Sequence, residues 1–112
     1  MTDCTRCWAR RSMISPHYTR KRIRSMGRVS LMSTRATELA LEQAGLIGDA
    51  VLTNGETGIA YGSSTGSTGP VSEFATMLTE KHTNNITGTT YVQMMPHTTA
   101  VNTGLFFGLR GR

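Results

Sequence analysis

The stretch Gly62-Ser63-Ser64-Thr65-Gly66 fits G-x-S-x-G, the spacing that lifts a nucleophilic serine onto a sharp turn between a strand and a helix. His82 or His97 would then act as base, with Glu73 or Glu80 as the orienting acid. That chemistry requires a helix to begin directly after the serine. Here Gly66-Ser67-Thr68-Gly69-Pro70 follows, which would break the first helical turn. The same stretch does not read as a phosphate cradle. A Walker loop needs a lysine at its end, yet no lysine lies between Lys21 and Lys81, and G-x-G-x-x-G is absent. The expectation is a tight turn whose glycines take positive φ.

Two other groupings hold reactive types. Cys4-Thr5-Arg6-Cys7 is a single C-x-x-C. Structural zinc wants four ligands, and His17 supplies at most a third, so no metal site is assigned. A redox pair belongs at a strand-to-helix junction, not in a polar leader. The second grouping is Arg20-Lys21-Arg22-Ile23-Arg24, a basic cluster at the start of a helix. Cations there oppose the helix dipole, a mild penalty that points to a use outside the fold. Nucleic-acid phosphates, an acidic protein or plain solvation all suit such a face. Tyr18 is the sole nearby aromatic, which disfavours nucleic acid as a partner.

Four elements must position these groups. Val29, Met32, Ala36, Leu39 and Ala40 fall three or four apart and predict one long helix, Arg20 to Leu46, beginning or bending near Gly27. Gly45 is placed to end it in a left-handed cap, with Leu46 folding back toward Leu41. Residues 47–56 read as loop, and Thr57 to Tyr61 as a short buried strand. Pro70 suits the first position of a second helix with Val71, Phe74, Met77 and Leu78 on its buried face. Residues 82–90 read as loop. A last helix follows Pro96, lined by Val101, Leu105 and Phe106, and ends near Gly108.

Composition limits the whole. The chain has 112 residues, one small domain at most, and a net charge of +5. Nine of the twelve Lys and Arg lie at or before Arg35, opposed there by Asp3 alone; from Ala36 on, three basic residues face six acidic ones. The pattern is a basic leader on a mildly acidic body. No apolar run approaches the ~20 residues that span a bilayer, and no signal-peptide core is present. The expectation is a reduced, cytoplasmic setting with no membrane partner and no cofactor. On residues alone, a small non-enzymatic module that holds an acidic partner remains open.

Three segments, in order, resemble the β-ketoacyl-acyl-carrier-protein synthases, condensing enzymes of the thiolase fold. The helix closing in Ala44-Gly45-Leu46 is similar to that family's first long helix. Gly58-Ile59-Ala60-Tyr61-Gly62-Ser63-Ser64-Thr65-Gly66 is similar to the turn after its second strand. Met95-Pro96 through Gly108-Leu109-Arg110-Gly111 is similar to the helix and G-L-R-G that precede its third strand. The likeness runs from Pro16 to Arg112. It leaves 1–15 as an unmatched basic leader, read as irregular and poorly ordered, and 16–112 as part of the synthase N-terminal domain.

The resemblance implies an α/β fold class: an incomplete fragment of the layered thiolase-like arrangement, mostly helices around one clear strand. It implies a 3-oxoacyl-carrier-protein synthase-related protein of fatty acid or polyketide synthesis. The family's nucleophilic cysteine follows G-L-R-G, and its two histidines come later still. No catalytic residue is therefore assigned, and the expectation is a chain that stops short of the thiol and is inactive alone. His82 and His97 match neither family histidine. Cys4 and Cys7 lie on the wrong side of the chain. In the family, basic residues at the start of this helix meet the acidic acyl carrier protein, and Lys21 and Arg24 fall on matching positions. Ser25 stands where a further basic residue often occurs. The parent enzymes are homodimers through their third strand, an interface this chain would lack.

Overall fold

The computed structural model describes residues 18–112. The expectations for Cys4, Cys7 and His17, and for a disordered leader over 1–15, lie outside the described residues. Within them are five α-helices: α1 (Arg20–Ile23), α2 (Arg28–Gln43), α3 (Thr68–Glu80), α4 (Gly88–Met94) and α5 (His97–Phe107). A single 3-10 turn, Ala50–Leu52, interrupts the link between α2 and α3.

The long first helix is two pieces. Residues 24–27 leave the helical path, and Gly27 becomes the extended residue ahead of α2. Gly27 is required there by a close approach. A β-carbon on it would lie 2.2 Å from the Ser67 hydroxyl oxygen and 2.8 Å from Ser67 Cβ. With no capping side chain of its own, α2 takes its cap from elsewhere in the chain. The Val29 N–H donates to Ser67 Oγ at 3.1 Å, a contact of the kind that stabilises a helix start by about 1 kcal/mol.

The other end of α2 forms as its sequence predicts. Gly45 sits at φ +69°. Leu46 N–H donates to Leu41 O at 2.9 Å and Gly45 N–H to Glu42 O at 3.1 Å, the paired bonds of a Schellman cap. Gly108, at φ +71°, closes α5 in the same way, with Leu109 N–H donating to Gly104 O. The second helix starts earlier than expected. Ser67 is its N-cap, so Pro70 stands third, where an N–H would still have no helical acceptor. Part of the expected loop over 82–90 is helix as well. Thr87 and Thr90 exchange side-chain and backbone bonds and thereby open α4.

The strand does not form among the described residues. Thr57 to Tyr61 is irregular backbone, tied to the C-terminal stretch by one ladder-like bond, Gly111 N–H to Thr57 O at 2.8 Å. A lone extended segment with one such bond cannot close a hydrogen-bonded ladder. The described part of the fold is therefore helical.

The helices meet on an unexpected face. α2 packs chiefly on α5, and its buried residues are Ser30, Thr34 and Glu38. They face Thr99, Asn102, Thr103 and Phe106. Ser30 Oγ donates to Thr99 Oγ1 at 3.3 Å, Asn102 Nδ2 donates to Ser30 Oγ at 3.3 Å, and Ser33 and Thr34 share hydrogen bonds with Thr103. Small side chains let the helices approach closely. No buried side-chain polar atom among the described residues is left without a partner, so the polar seam carries no desolvation penalty from orphaned groups.

The apolar stripe of α2 points the other way. Met32 is 51% exposed and Leu39 49%. Val71 and Leu78 of α3, and Val101 and Leu105 of α5, are also exposed. The apolar core is correspondingly small: Tyr18, Met26 and Phe106, with Ile23, Leu31 and Phe107 partly buried against them. The Tyr18 and Phe106 rings meet edge to face, centroids 4.9 Å apart.

Glu38 is 3% exposed and paired. It accepts from Tyr18 Oη at 2.9 Å and from the Arg35 guanidinium. Burial, then the neighbouring Glu38 carboxylate, raise the Tyr18 phenol well above its ordinary range. For an acid whose folded pKa is raised, this contribution to stability is intact below about pH 10 and is lost as pH rises further.

Candidate functional site

The glycine-rich stretch proves to be a structural staple. Gly66 N–H donates to Met94 O and Ser67 N–H to Gln93 O, both at 3.0 Å, so the turn is fastened to the end of α4. Gly62, Gly66 and Gly69 do not adopt positive φ, contrary to expectation. What Gly66 supplies is room: a β-carbon there would lie 2.4 Å from Met94 O and 2.6 Å from Gln93 O. The nucleophile reading fails on geometry. α3 starts at Thr68 and not after Ser64. Ser63 Oγ turns to the Thr65 carbonyl. Glu80 pairs with His82 at 2.6 Å on the exposed surface, while Glu73 accepts from Thr90 Oγ1. Among the described residues no hydrogen bond or ion pair links Ser63 or Ser64 to His82, His97, Glu73 or Glu80. The open groove between α2 and residues 57–61 is lined by Leu41, Leu52, Ile59 and Tyr61 among others, and none of its lining residues carries a thiol, imidazole or carboxylate.

The basic cluster is organised differently from a solvated run. α1 is a separate turn, so its cations do not sit on the N-terminus of the long helix, and the expected dipole penalty does not arise there. Lys21 and Arg24 are exposed, and their side chains make no hydrogen bond or ion pair among the described residues. Arg22 behaves otherwise. Its guanidinium carbon lies 4.1 Å from the centroid of the Phe106 ring, and Nη2 donates to Phe106 O in the last turn of α5. A cation satisfying a terminal carbonyl is favourable at that end of a helix.

The backbone between α1 and α2 is clamped from three sides. Gln93 Nε2 reaches the carbonyls of Arg24 and Met26 at 3.5 and 3.4 Å. Ser25 Oγ donates to Asn102 Oδ1 at 3.0 Å, and Asn102 Nδ2 returns to Ser25 O at 3.4 Å. Ser67 holds the start of α2. Arg24 thus projects from a segment fixed by α4, α5 and the glycine-rich turn, and Lys21 from α1 just ahead of it. Such preorganisation lowers the ordering cost of binding. Lys21 and Arg24 were legible in the sequence. The contact of Arg22 with Phe106 and the role of Ser67 as a distant cap were not, because the partners are far along the chain.

Comparison with known proteins agrees with the motif order. The family model described as Beta-ketoacyl synthase, N-terminal domain matches residues 5–112, a span that begins ahead of the resemblance noted from Pro16. No curated protein sequence matches the chain. A crystal structure of a beta-ketoacyl synthase from Burkholderia phymatum is similar at a TM-score of 0.80 and 52% identity, covering 88% of this chain and 24% of that one. The chain therefore spans about a quarter of that relative's length, and its helices correspond to part of a thiolase-like fold. The reading as a module without enzymatic relatives is set aside. On the family match and the structural likeness together, the chain belongs to the β-ketoacyl synthases, within their N-terminal domain.

Proposed function

We propose that this chain is the carrier-docking portion of a 3-oxoacyl-carrier-protein synthase-related protein of fatty acid or polyketide synthesis. Lys21 and Arg24 receive the acidic surface of acyl carrier protein. The observation that carries the reading is the placement of these two exposed cations, without side-chain partners among the described residues: Arg24 on the segment held by Gln93 and Asn102, Lys21 one turn ahead of it in α1. They occupy the positions at which family resemblance puts carrier-binding residues. Condensation itself needs a thiolate for acyl transfer and donors for the developing oxyanion. No described residue is a cysteine, and Ser64 shares no hydrogen bond with His82 or His97 among the described residues. In a malonyl-carrier condensation assay no turnover is expected from this 112-residue polypeptide by itself, and measurable turnover would contradict the proposal. Among the described residues no helix is long and apolar enough to cross a membrane. The cytoplasm is the proposed setting, and a homodimer the proposed state of the complete synthase.

Titration of fluorescently labelled holo acyl carrier protein with the full chain tests the docking role. Affinity is expected to fall about ten-fold between 50 and 300 mM salt, since the contacting charges are exposed and screened. Binding that is absent at low salt, or indifferent to salt, contradicts it.

A further inference from the structure

The basic cluster holds cations of two kinds: Lys21 and Arg24 have no side-chain partner among the described residues, whereas Arg22, itself exposed, binds Phe106 in the last turn of α5. We propose that Arg22 is a positioning residue of the docking patch: it fixes α1 against the end of α5, so that Lys21 and Arg24 present a set geometry. The inference rests on the carrier-docking reading of those two residues.

Three observations support it. The guanidinium stacks on Phe106, a residue of the small apolar core, and bonds its carbonyl in the final turn of α5. α1 has four residues, no capping side chain and no fully buried residue; apart from Ile23, packed partly against the apolar core, Arg22 is the side chain that ties this turn to the rest of the fold. Lys21 and Arg24 flank Arg22 on the same short segment. Stacking together with in-plane donation is a property of guanidinium, and an ammonium does not reproduce it. Arg22, though exposed, is thus engaged within the chain by Phe106, where by charge alone it would count as a third docking cation.

The test uses the full chain and labelled holo acyl carrier protein. Arg22→Lys keeps the charge and removes the stack and fork; Arg22→Met keeps the length and apolar contact and removes the donor. Both are expected to weaken carrier binding about ten-fold, with the helical circular dichroism unchanged. In an Arg24→Ala background the loss from Arg22→Lys should shrink to about two-fold, because one of the groups being positioned is gone. Equal losses in both backgrounds would mean general destabilisation and overturn the proposal. So would Arg22→Lys binding within two-fold of the unaltered chain. Reversal of Lys21 and Arg24 separates the two levels. If that reversal abolishes binding while Arg22→Lys is neutral, the role of Arg22 alone fails; if the reversal has no effect, the docking reading itself fails.

Discussion

A chain carrying Lys21→Glu and Arg24→Glu together loses acyl carrier protein binding by at least about a hundred-fold, with its helix content unchanged. Like charges brought face to face in an interface cost several kcal/mol, and each 1.4 kcal/mol is about a factor of ten in affinity. Neither side chain holds the fold: both are exposed, and the clamp on this segment runs through the carbonyls of Arg24, Ser25 and Met26. The loss should therefore be one of recognition. Isothermal titration with the double variant, beside circular dichroism of the same sample, measures both at once. Unchanged affinity would remove Lys21 and Arg24 from the docking surface.

The largest structural effect is expected at Gly66. In Gly66→Ala the new methyl meets the backbone oxygens of Met94 and Gln93 at 2.4 and 2.6 Å, atoms that cannot swing aside as a flexible side chain would. Relief requires the turn to lift off α4, breaking the two bonds from Gly66 N–H and Ser67 N–H. Ser67 then leaves the start of α2, and the Val29 N–H loses its acceptor. The sum is of the order of 3 kcal/mol. Hydrogen exchange reads it directly, because the Val29 amide should exchange on the order of a hundred-fold faster. Gly62→Ala is the control. A β-carbon there has no neighbour within 4 Å, and its φ is not in the left-handed region, so the variant should stay within about 0.5 kcal/mol. A slow Val29 amide in Gly66→Ala would show that the staple does not hold the junction.

Helix ends were the most legible part of this sequence. Gly45 and Gly108 carry the left-handed caps because a glycine after a periodic run leaves few alternatives. The break near Gly27 was also readable, though not its cause, the approach of Ser67. Phe106 was rightly placed in the core, but the buried face of α2 was read wrongly, for a physical reason. The spacing of Val29, Met32, Ala36, Leu39 and Ala40 marks side chains that avoid water. It does not say which neighbour covers them. Here the nearest helix, α5, offers hydroxyls and an amide, and Ser30, Thr34 and Glu38 face it instead. The strand over Thr57 to Tyr61 has the right composition, but pairing is a non-local event, and one bond to Gly111 does not make a ladder.

The residues proposed for docking divide in the same way. Lys21 and Arg24 were visible because exposed charge needs no partner to be noticed. Arg22 looked identical to them in the sequence. Its distinction lies in a contact with Phe106, 84 positions away, that no local pattern encodes. Ser67 likewise reads as one more turn serine until the start of α2 is seen against it.

The most direct measurement of the central claim is a charge swap. Holo acyl carrier protein with lysines in place of its surface acids is titrated against the Lys21→Glu, Arg24→Glu chain, with the two unmixed pairs alongside. Electrostatic docking at these positions predicts that the swapped pair binds within about ten-fold of the natural pair while both mismatched pairs are far weaker. A swapped pair no tighter than the mismatched ones would show that the acidic carrier does not meet this chain at Lys21 and Arg24.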